Sequence, residues 1–220
     1  MRTLTTAYKF WHNKTSPFNN ESIPGHYEKW AAEVKILVGD QPISKVLEIG
    51  CGTGAFFSLL GFHTVDYTGI DLSDSMLSIF RQKFPNARLI CGSGHSYIDK
   101  KQYDTILSIT VLQYFDLEMI DLHFRNVKQM LQPNGSFYCC SIPWRVHRLA
   151  FYSGEISNPL RKNWVKMLRG FVRSVRGDPL GIWHKPSELE KIANRHGLSG
   201  RYFGSVLYPY RFHAVLTHAV

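Results

Sequence analysis

The chain reads as an α/β protein: a doubly wound, Rossmann-like sheet of seven strands with helices on both faces and a C-terminal antiparallel hairpin. Three observations predict this. Short apolar runs alternate with amphipathic helical stretches between residues 44 and 142; the first run ends in a glycine-rich turn; and the second run ends in an acidic residue. Two hundred and twenty residues suit one full-sized domain, and a chain of that length buries roughly 70% of its unfolded surface without needing disulfides or structural metal.

The elements follow in order. Residues 44–49, Ser-Lys-Val-Leu-Glu-Ile, form a short apolar run that ends in glycines, as a buried parallel strand does. A helix is expected from Ala55 to Leu60. The second strand runs from Asp66 to Ile70 and is closed by Asp71. Ser73 then stands where an N-cap belongs, ahead of Met76, Leu77, Ile79 and Phe80. Arg88–Cys91 is a third strand and Tyr103–Thr110 a fourth. Asp116–Leu131 is an amphipathic helix stopped at Pro133-Asn134-Gly135, and Ser136–Ile142 is the fifth strand. A further helix spans Pro186–His196 and stops at Gly197. Two closing strands, Arg201–Leu207 and Arg211–Thr217, are joined by Tyr208-Pro209-Tyr210.

Outside the 44–142 core, residues 1–43 are aromatic and loop-rich, with one helix from His26 to Leu37, and are expected to act as an N-terminal helical lid. Residues 143–183 interrupt the alternation as a helical insert, and residues 184–220 complete the core. The whole is one domain. The N-terminus lacks the apolar stretch of a secretory signal, and no apolar run approaches the ~20 residues that cross a bilayer. Cys51, Cys91, Cys139 and Cys140 show no metal-ligand spacing. They read as reduced thiols of a cytoplasmic protein without a bound metal.

The turn Glu48-Ile49-Gly50-Cys51-Gly52-Thr53-Gly54-Ala55 joins the first strand to its helix. Its glycines permit sharp turning and close approach of a ligand, and Gly50, Gly52 and Ala55 also satisfy the dinucleotide pattern G-x-G-x-x-G/A. Glu48 decides between ligands. A carboxylate at the strand end repels a pyrophosphate and attracts a sulfonium with its ammonium. Asp71, 21 positions beyond Gly50, has the spacing of a carboxylate that accepts both hydroxyls of a ribose at the crossover of an open α/β sheet.

Here the sequence resembles the class I S-adenosylmethionine-dependent methyltransferases, small-molecule type. The resemblance rests on Val46–Gly54, on Gly69-Ile70-Asp71-Leu72-Ser73 with Met76-Leu77 behind it, on Tyr103–Ser108 followed by Val111-Leu112-Gln113-Tyr114, and on Leu131–Gly135. It implies S-adenosyl-L-methionine as cofactor. Gly50 and Gly52, with Cys51 and Gly54 completing the turn, would pass under the methionyl part, and Glu48 would lie near its ammonium. Asp71 would bind the ribose, Leu72 and Met76 would flank the adenine, and Ile109 and Thr110 would supply backbone contacts. Gly92, Ser93 and Gly94 would border the adenine, with Ser93 where the family often has an acid. Tyr114 stands where histidine is frequent in the family and is a catalytic candidate without an imidazole.

Methyl transfer is an in-line displacement on an already activated carbon, so the protein mainly positions the nucleophile and excludes water; an O–H or N–H nucleophile also calls on a base. The base candidates are His184 and then His12. Tyr8 and Trp11 are expected to close over the cofactor, while Tyr208, Tyr210 and Arg211, at the turn of the hairpin, are expected to face the substrate.

The net charge is +9. Between Pro143 and Lys185 nine basic residues stand against Glu155 and Asp178, so this stretch carries seven of the nine excess charges. Within it, residues 161–176 pattern as a basic amphipathic helix, with Trp164, Leu168, Phe171 and Val175 on one face and Lys162, Lys166, Arg169 and Arg173 opposite. That helix covers a pocket, touches an anionic membrane surface peripherally, or tracks RNA phosphates. The absence of an appended recognition domain argues against nucleic acid. The expected activity is methylation of an oxygen or nitrogen of a small, anionic or phosphate-bearing metabolite. An RNA methyltransferase and a non-catalytic cofactor-binding subunit are the rivals.

Overall fold

The computed structural model describes residues 25–153, 155–156, 178 and 180–219. The expected lid residues Tyr8, Trp11 and His12 and the basic helix 161–176 lie outside them. The elements are α1 (His26–Val38), β1 (Lys45–Ile49), α2 (Ala55–Leu59), β2 (Asp66–Asp71), α3 (Asp74–Lys83), β3 (Arg88–Cys91) and β4 (Tyr103–Ile109). They continue with α4 (Leu117–Met130), β5 (Leu131–Pro143), α5 (Arg148–Ser153), α6 (Pro186–Arg195), β6 (Leu198–Gly204) and β7 (Arg211–His218).

The seven strands form one sheet in the order β3-β2-β1-β4-β5-β7-β6. The five from β1 to β5 are mutually parallel, and β7 runs antiparallel to both β5 and β6. The strand order reverses between β1 and β4, which is where an open sheet of this kind binds its ligand, beyond the carboxyl ends of its strands.

Period-2 alternation sends side chains to two cores. Leu47, Ile49, Ile106, Phe137, Phe212 and Ala214 pack with Ile120 and Phe124 of α4 and Leu189 and Ile192 of α6. Val46, Tyr67, Leu107, Tyr138 and Val215 face Trp30 and Val34 of α1, Phe57 of α2 and Phe80 of α3. Because helices cover both faces, β1 is buried along Val46–Ile49, which explains its unbroken apolar run. Two caps work as the sequence indicates. Ser73 Oγ accepts from Met76 N at 3.4 Å, and Asp116 Oδ1 accepts from Met119 N at 2.9 Å.

Two boundaries differ from expectation. β5 begins at Leu131, not Ser136, because Leu131 pairs with Tyr103; the Pro133-Asn134-Gly135 stretch becomes a break in register instead of a loop between elements. The β6 strand spans Leu198–Gly204, three residues ahead of the expected range. Fully buried Leu198 already pairs with His218, and Ser205–Tyr208 are taken up by the turn, where Ser205 N donates to Arg211 O and Arg211 N to Tyr208 O. Among the described residues no helix is long and apolar enough to cross a membrane.

Candidate active site

A cleft opens beyond the carboxyl ends of β1, β2 and β4. Its floor is the turn after β1. Gly50 holds φ 77°, the left-handed region, and a Cβ there would meet Val111 Cγ2 at 2.2 Å, so this position admits only glycine. The N–H groups of Gly50 and Cys51 both donate to Ile70 O, at 2.7 and 3.0 Å, clamping the turn to the neighbouring strand.

Asp71 ends β2 at the edge of the cleft. Its Oδ2 accepts from Gly52 N at 2.9 Å and its Oδ1 from Ser73 N at 2.8 Å. One carboxylate thus ties the first crossover to the second, and each oxygen keeps lone-pair capacity for a ligand hydroxyl. Burial pushes the Asp71 carboxyl above its usual range, against the lowering effect of these N–H donors.

The walls are apolar: Leu72 and Met76 on one side, Ile109, Val111 and Phe115 on the other. Ser93 and Gly94 border the far end, where Ser93 Oγ lies 2.6 Å from His95 Nδ1. Thr110 also lines the cleft and holds φ 60°, a conformation β-branched residues rarely adopt; its N–H donates to Cys140 O at 2.9 Å, which keeps it there. Tyr114 completes the wall next to Thr110 and Val111.

Three of the expected cofactor residues stand behind these walls. Gly54 holds φ 81° with Phe80 against it, and Gly92 donates its N–H to Asp71 O at 2.9 Å. Glu48 shares its strand face with Val46, one layer below the cleft floor. It is 1% exposed, and its Oε2 accepts from Tyr67 OH at 2.6 Å, while Oε1 has no partner. Burial raises its carboxyl to about 8; the Tyr67 bond works against this and the Asp71 charge adds to it. Near pH 7, then, Glu48 is mostly uncharged, and the carboxylate bordering the cleft is Asp71. Cys51, beside it, has its thiol pushed well above the ordinary range by burial.

The expected acceptor-side residues are placed differently. His184 is buried away from the cleft, where its Nε2–H donates to Leu112 O at 3.0 Å; burial lowers its basicity. The ring positions the turn that carries Tyr114 and does not reach the cleft. Tyr208 packs edge-on against Trp30 at 5.5 Å, and Tyr210 packs on Phe151 at 4.5 Å. Arg211 points inward, 4% exposed. None of these three lines the cleft, because the turn of the hairpin folds back onto α1 and α5. The cleft mouth is instead formed by Tyr27 and Trp30 of α1 and Phe56 of α2. The three-residue spacing of Tyr27 and Trp30 on the expected 26–37 helix was the signal that could have found them.

Comparison with known proteins agrees with this layout. Residues 46–135 match the sequence model of a family described as a methyltransferase domain. Over 97 residues the chain is 36% identical to malonyl-[acyl-carrier protein] O-methyltransferase of Priestia megaterium, covering 41% of this chain and 34% of that protein. It is 26% identical over 124 residues to nodulation protein S of Azorhizobium caulinodans, covering 55% and 60% respectively. The chain therefore spans between a third and three fifths of the length of these relatives. Among solved structures, magnesium protoporphyrin IX methyltransferase of Synechocystis superposes with TM-score 0.69 at 17% identity, covering 99% of this chain and all of that one. A methyltransferase from Clostridium acetobutylicum superposes with TM-score 0.65 at 16% identity, covering 88% and 92%. These likenesses establish the fold.

Proposed function

We propose, from the premise that the chain belongs to the class I S-adenosylmethionine-dependent methyltransferases, that it transfers a methyl group to an oxygen or nitrogen of a small, anionic metabolite. The observation that carries the cofactor half of this reading is the charge of the cleft. Among the described residues its walls hold the Asp71 carboxylate and no lysine, arginine or histidine. A dinucleotide pyrophosphate would find no cation there, whereas a sulfonium cofactor requires none.

The residues fit that cofactor. Gly52 leaves backbone open for close approach, Gly50 lets the turn pack on Val111, Asp71 has lone pairs for two ribose hydroxyls, and Leu72 and Met76 offer apolar flanks for a purine. When bound, S-adenosylmethionine supplies a methyl group already activated by the sulfonium charge. The protein then has to orient the acceptor and exclude water, and the aromatic rings of Tyr27, Trp30 and Phe56 that line the cleft suit that task. Tyr114 lines the cleft beside the strained Thr110, and on this reading it would help to orient the acceptor. His12 remains a base candidate outside the described residues.

The test is methyl transfer from labelled cofactor to fractions of a small-molecule extract and, in parallel, to total RNA. Label entering a small acidic compound is the expected outcome. Label in RNA would replace the reading by the nucleic-acid one, and tight cofactor binding with no labelled product in any fraction would leave a binding subunit. Asp71→Ala removes two charge-assisted hydrogen bonds of about 1.5–3 kcal/mol each, so S-adenosylhomocysteine should bind at least tenfold more weakly by calorimetry. Unchanged affinity would place the nucleoside elsewhere.

A further inference from the structure

Among the described residues two that are not glycine hold a positive φ, Thr110 at 60° and Ser141 at 62°, and they are neighbours in space. The Thr110 N–H donates to Cys140 O at 2.9 Å, and Cys140 precedes Ser141 in the irregular part of β5 between Cys139 and Ile142. Left-handed backbone at a non-glycine residue persists only where the surroundings impose it. Around Ser141 those surroundings are buried polar contacts that link one wall of the cleft to another.

The links start on α1. Trp30 lines the cleft, and Glu33 lies one helical turn further on. Both face the turn before β7. Trp30 packs edge-on against Tyr208 at 5.5 Å, Tyr208 N donates to Ser205 Oγ at 3.0 Å, and Ser205 Oγ donates to Glu33 Oε2 at 3.0 Å. Val206 N donates to Glu33 Oε1 at 2.7 Å, and His213 Nε2 of β7 lies 3.4 Å from the same oxygen. His213 Nδ1 accepts from Ser141 N at 3.4 Å, which leaves the ring proton on Nε2, facing the carboxylate. Burial lowers the basicity of this ring, against the pull of Glu33. Arg211 Nη1 then donates to Ser141 O at 2.5 Å and to Gln113 Oε1 at 3.0 Å. Gln113 immediately precedes Tyr114, which lines the cleft, and Gln113 O accepts from Ile182 N at 2.7 Å.

Gln113, Ser141, Arg211 and His213 are all buried, and the Glu33 side chain is 11% exposed. A buried polar chain of this kind specifies one arrangement, because a member that moves leaves its neighbour unpaired out of reach of water. We infer that Glu33 and Arg211 are positioning residues which, through His213, Ser141 and Gln113, hold the Trp30 and Tyr114 walls of the cleft in one fixed arrangement. Neither lines the cleft; both act through residues that do. This rests on the methyl-transfer reading above, in which those walls orient the acceptor. The contacts of Asp71 with Gly52 and Ser73 lie outside the chain of links.

The experiment is fluorine NMR of the full chain labelled with fluorotryptophan or fluorotyrosine and saturated with S-adenosylhomocysteine. Trp30 and Tyr114 are assigned by Trp30→Phe and Tyr114→Phe. S-adenosylhomocysteine binding is measured first by calorimetry. Its absence would sink the methyltransferase reading itself, whereas its presence with unmoved signals would sink only the positioning role. Glu33→Gln is expected to move the Tyr114 signal and Gln113→Leu the Trp30 signal, each by more than its linewidth, with S-adenosylhomocysteine affinity within twofold of wild type. Gln113→Glu, which keeps an acceptor for Arg211, should return the Trp30 signal to its original position. Combining Glu33→Gln with Gln113→Leu should give shifts that do not add, because both cut the same chain. Should Gln113→Leu misfold, Arg211→Lys replaces it: it keeps the charge but not the fork, and should move both signals. Shifts confined to the mutated end, additive shifts in the double variant, or a Trp30 signal displaced equally by Gln113→Leu and Gln113→Glu would overturn the proposal.

Discussion

On the β1–β2–β4 side of the molecule, the polar groups of the cleft are bonded to backbone close by in the chain: Asp71 reaches Ser73 two residues away and Gly52 nineteen away. On the β5–β7 side the polar groups are bonded side chain to side chain or across the whole chain. Arg211 meets Gln113 over 98 positions and Ser141 over 70, and Ser205 meets Glu33 over 172. The contrast is one of sequence separation. The contacts around Asp71 are backbone geometry that a short motif encodes, while those around Arg211 and Glu33 join residues that only the finished fold brings together.

Substitutions can test that division. The largest effect is expected at Gly50→Ala, which forces a Cβ into Val111 at a backbone conformation alanine resists. Strain and overpacking together should cost about 3–5 kcal/mol, and S-adenosylhomocysteine binding should disappear in calorimetry. If binding survives, the turn is more pliable than its geometry indicates.

Next comes Glu48→Gln. The buried carboxyl keeps its proton up to about pH 8, whereas in the unfolded chain it releases it near the ordinary 4.5. Between those values the unfolded state binds fewer protons, so Glu48's contribution is favourable below about pH 4.5 and is lost as pH rises towards 8. Relative to wild type, the glutamine variant should gain on the order of 3–4 kcal/mol between pH 5 and pH 8 in denaturant unfolding. Parallel pH dependence in the two proteins would show that Glu48 ionises freely.

On the opposite side, Glu33→Ala removes the acceptor of Ser205 Oγ and Val206 N and the partner of His213. Stability should fall by about 2 kcal/mol in urea, with S-adenosylhomocysteine affinity unchanged. A fall in affinity would couple the two halves and blur the comparison. The smallest effect is expected at Ser73→Ala. Removing the cap of α3 should cost about 1 kcal/mol and weaken S-adenosylhomocysteine only slightly, because Met76 remains on the same helix.

The fold was legible because its signals are local. The β1 run is continuous because both faces are covered, Gly50 is demanded by one turn, and Asp71 ends its strand where the chain crosses over. Leu72, Met76, Ile109 and Thr110 follow from the same registers. Glu48 was legible as an acid at the end of β1 but not in its direction or its burial. Those depend on the strand's alternation, which sends it down with Val46, and on Tyr67 of the next strand, which meets it there. His184 appeared as a possible base because it is a lone imidazole beside an insert; the fold instead directs it at Leu112 O.

Sequence alone therefore settled the order of strands and helices, the crossover and the glycine cradle, since each depends on residues within a turn or two of one another. Tertiary structure alone decided which way the hairpin's Tyr208, Tyr210 and Arg211 face, because packing against α1 and α5 turns the two tyrosines from the cleft. It also carried the Arg211 side chain inward, to Gln113 and the carbonyl of Ser141. A side chain's desolvation is set by neighbours up to 172 positions distant, and no local pattern records them.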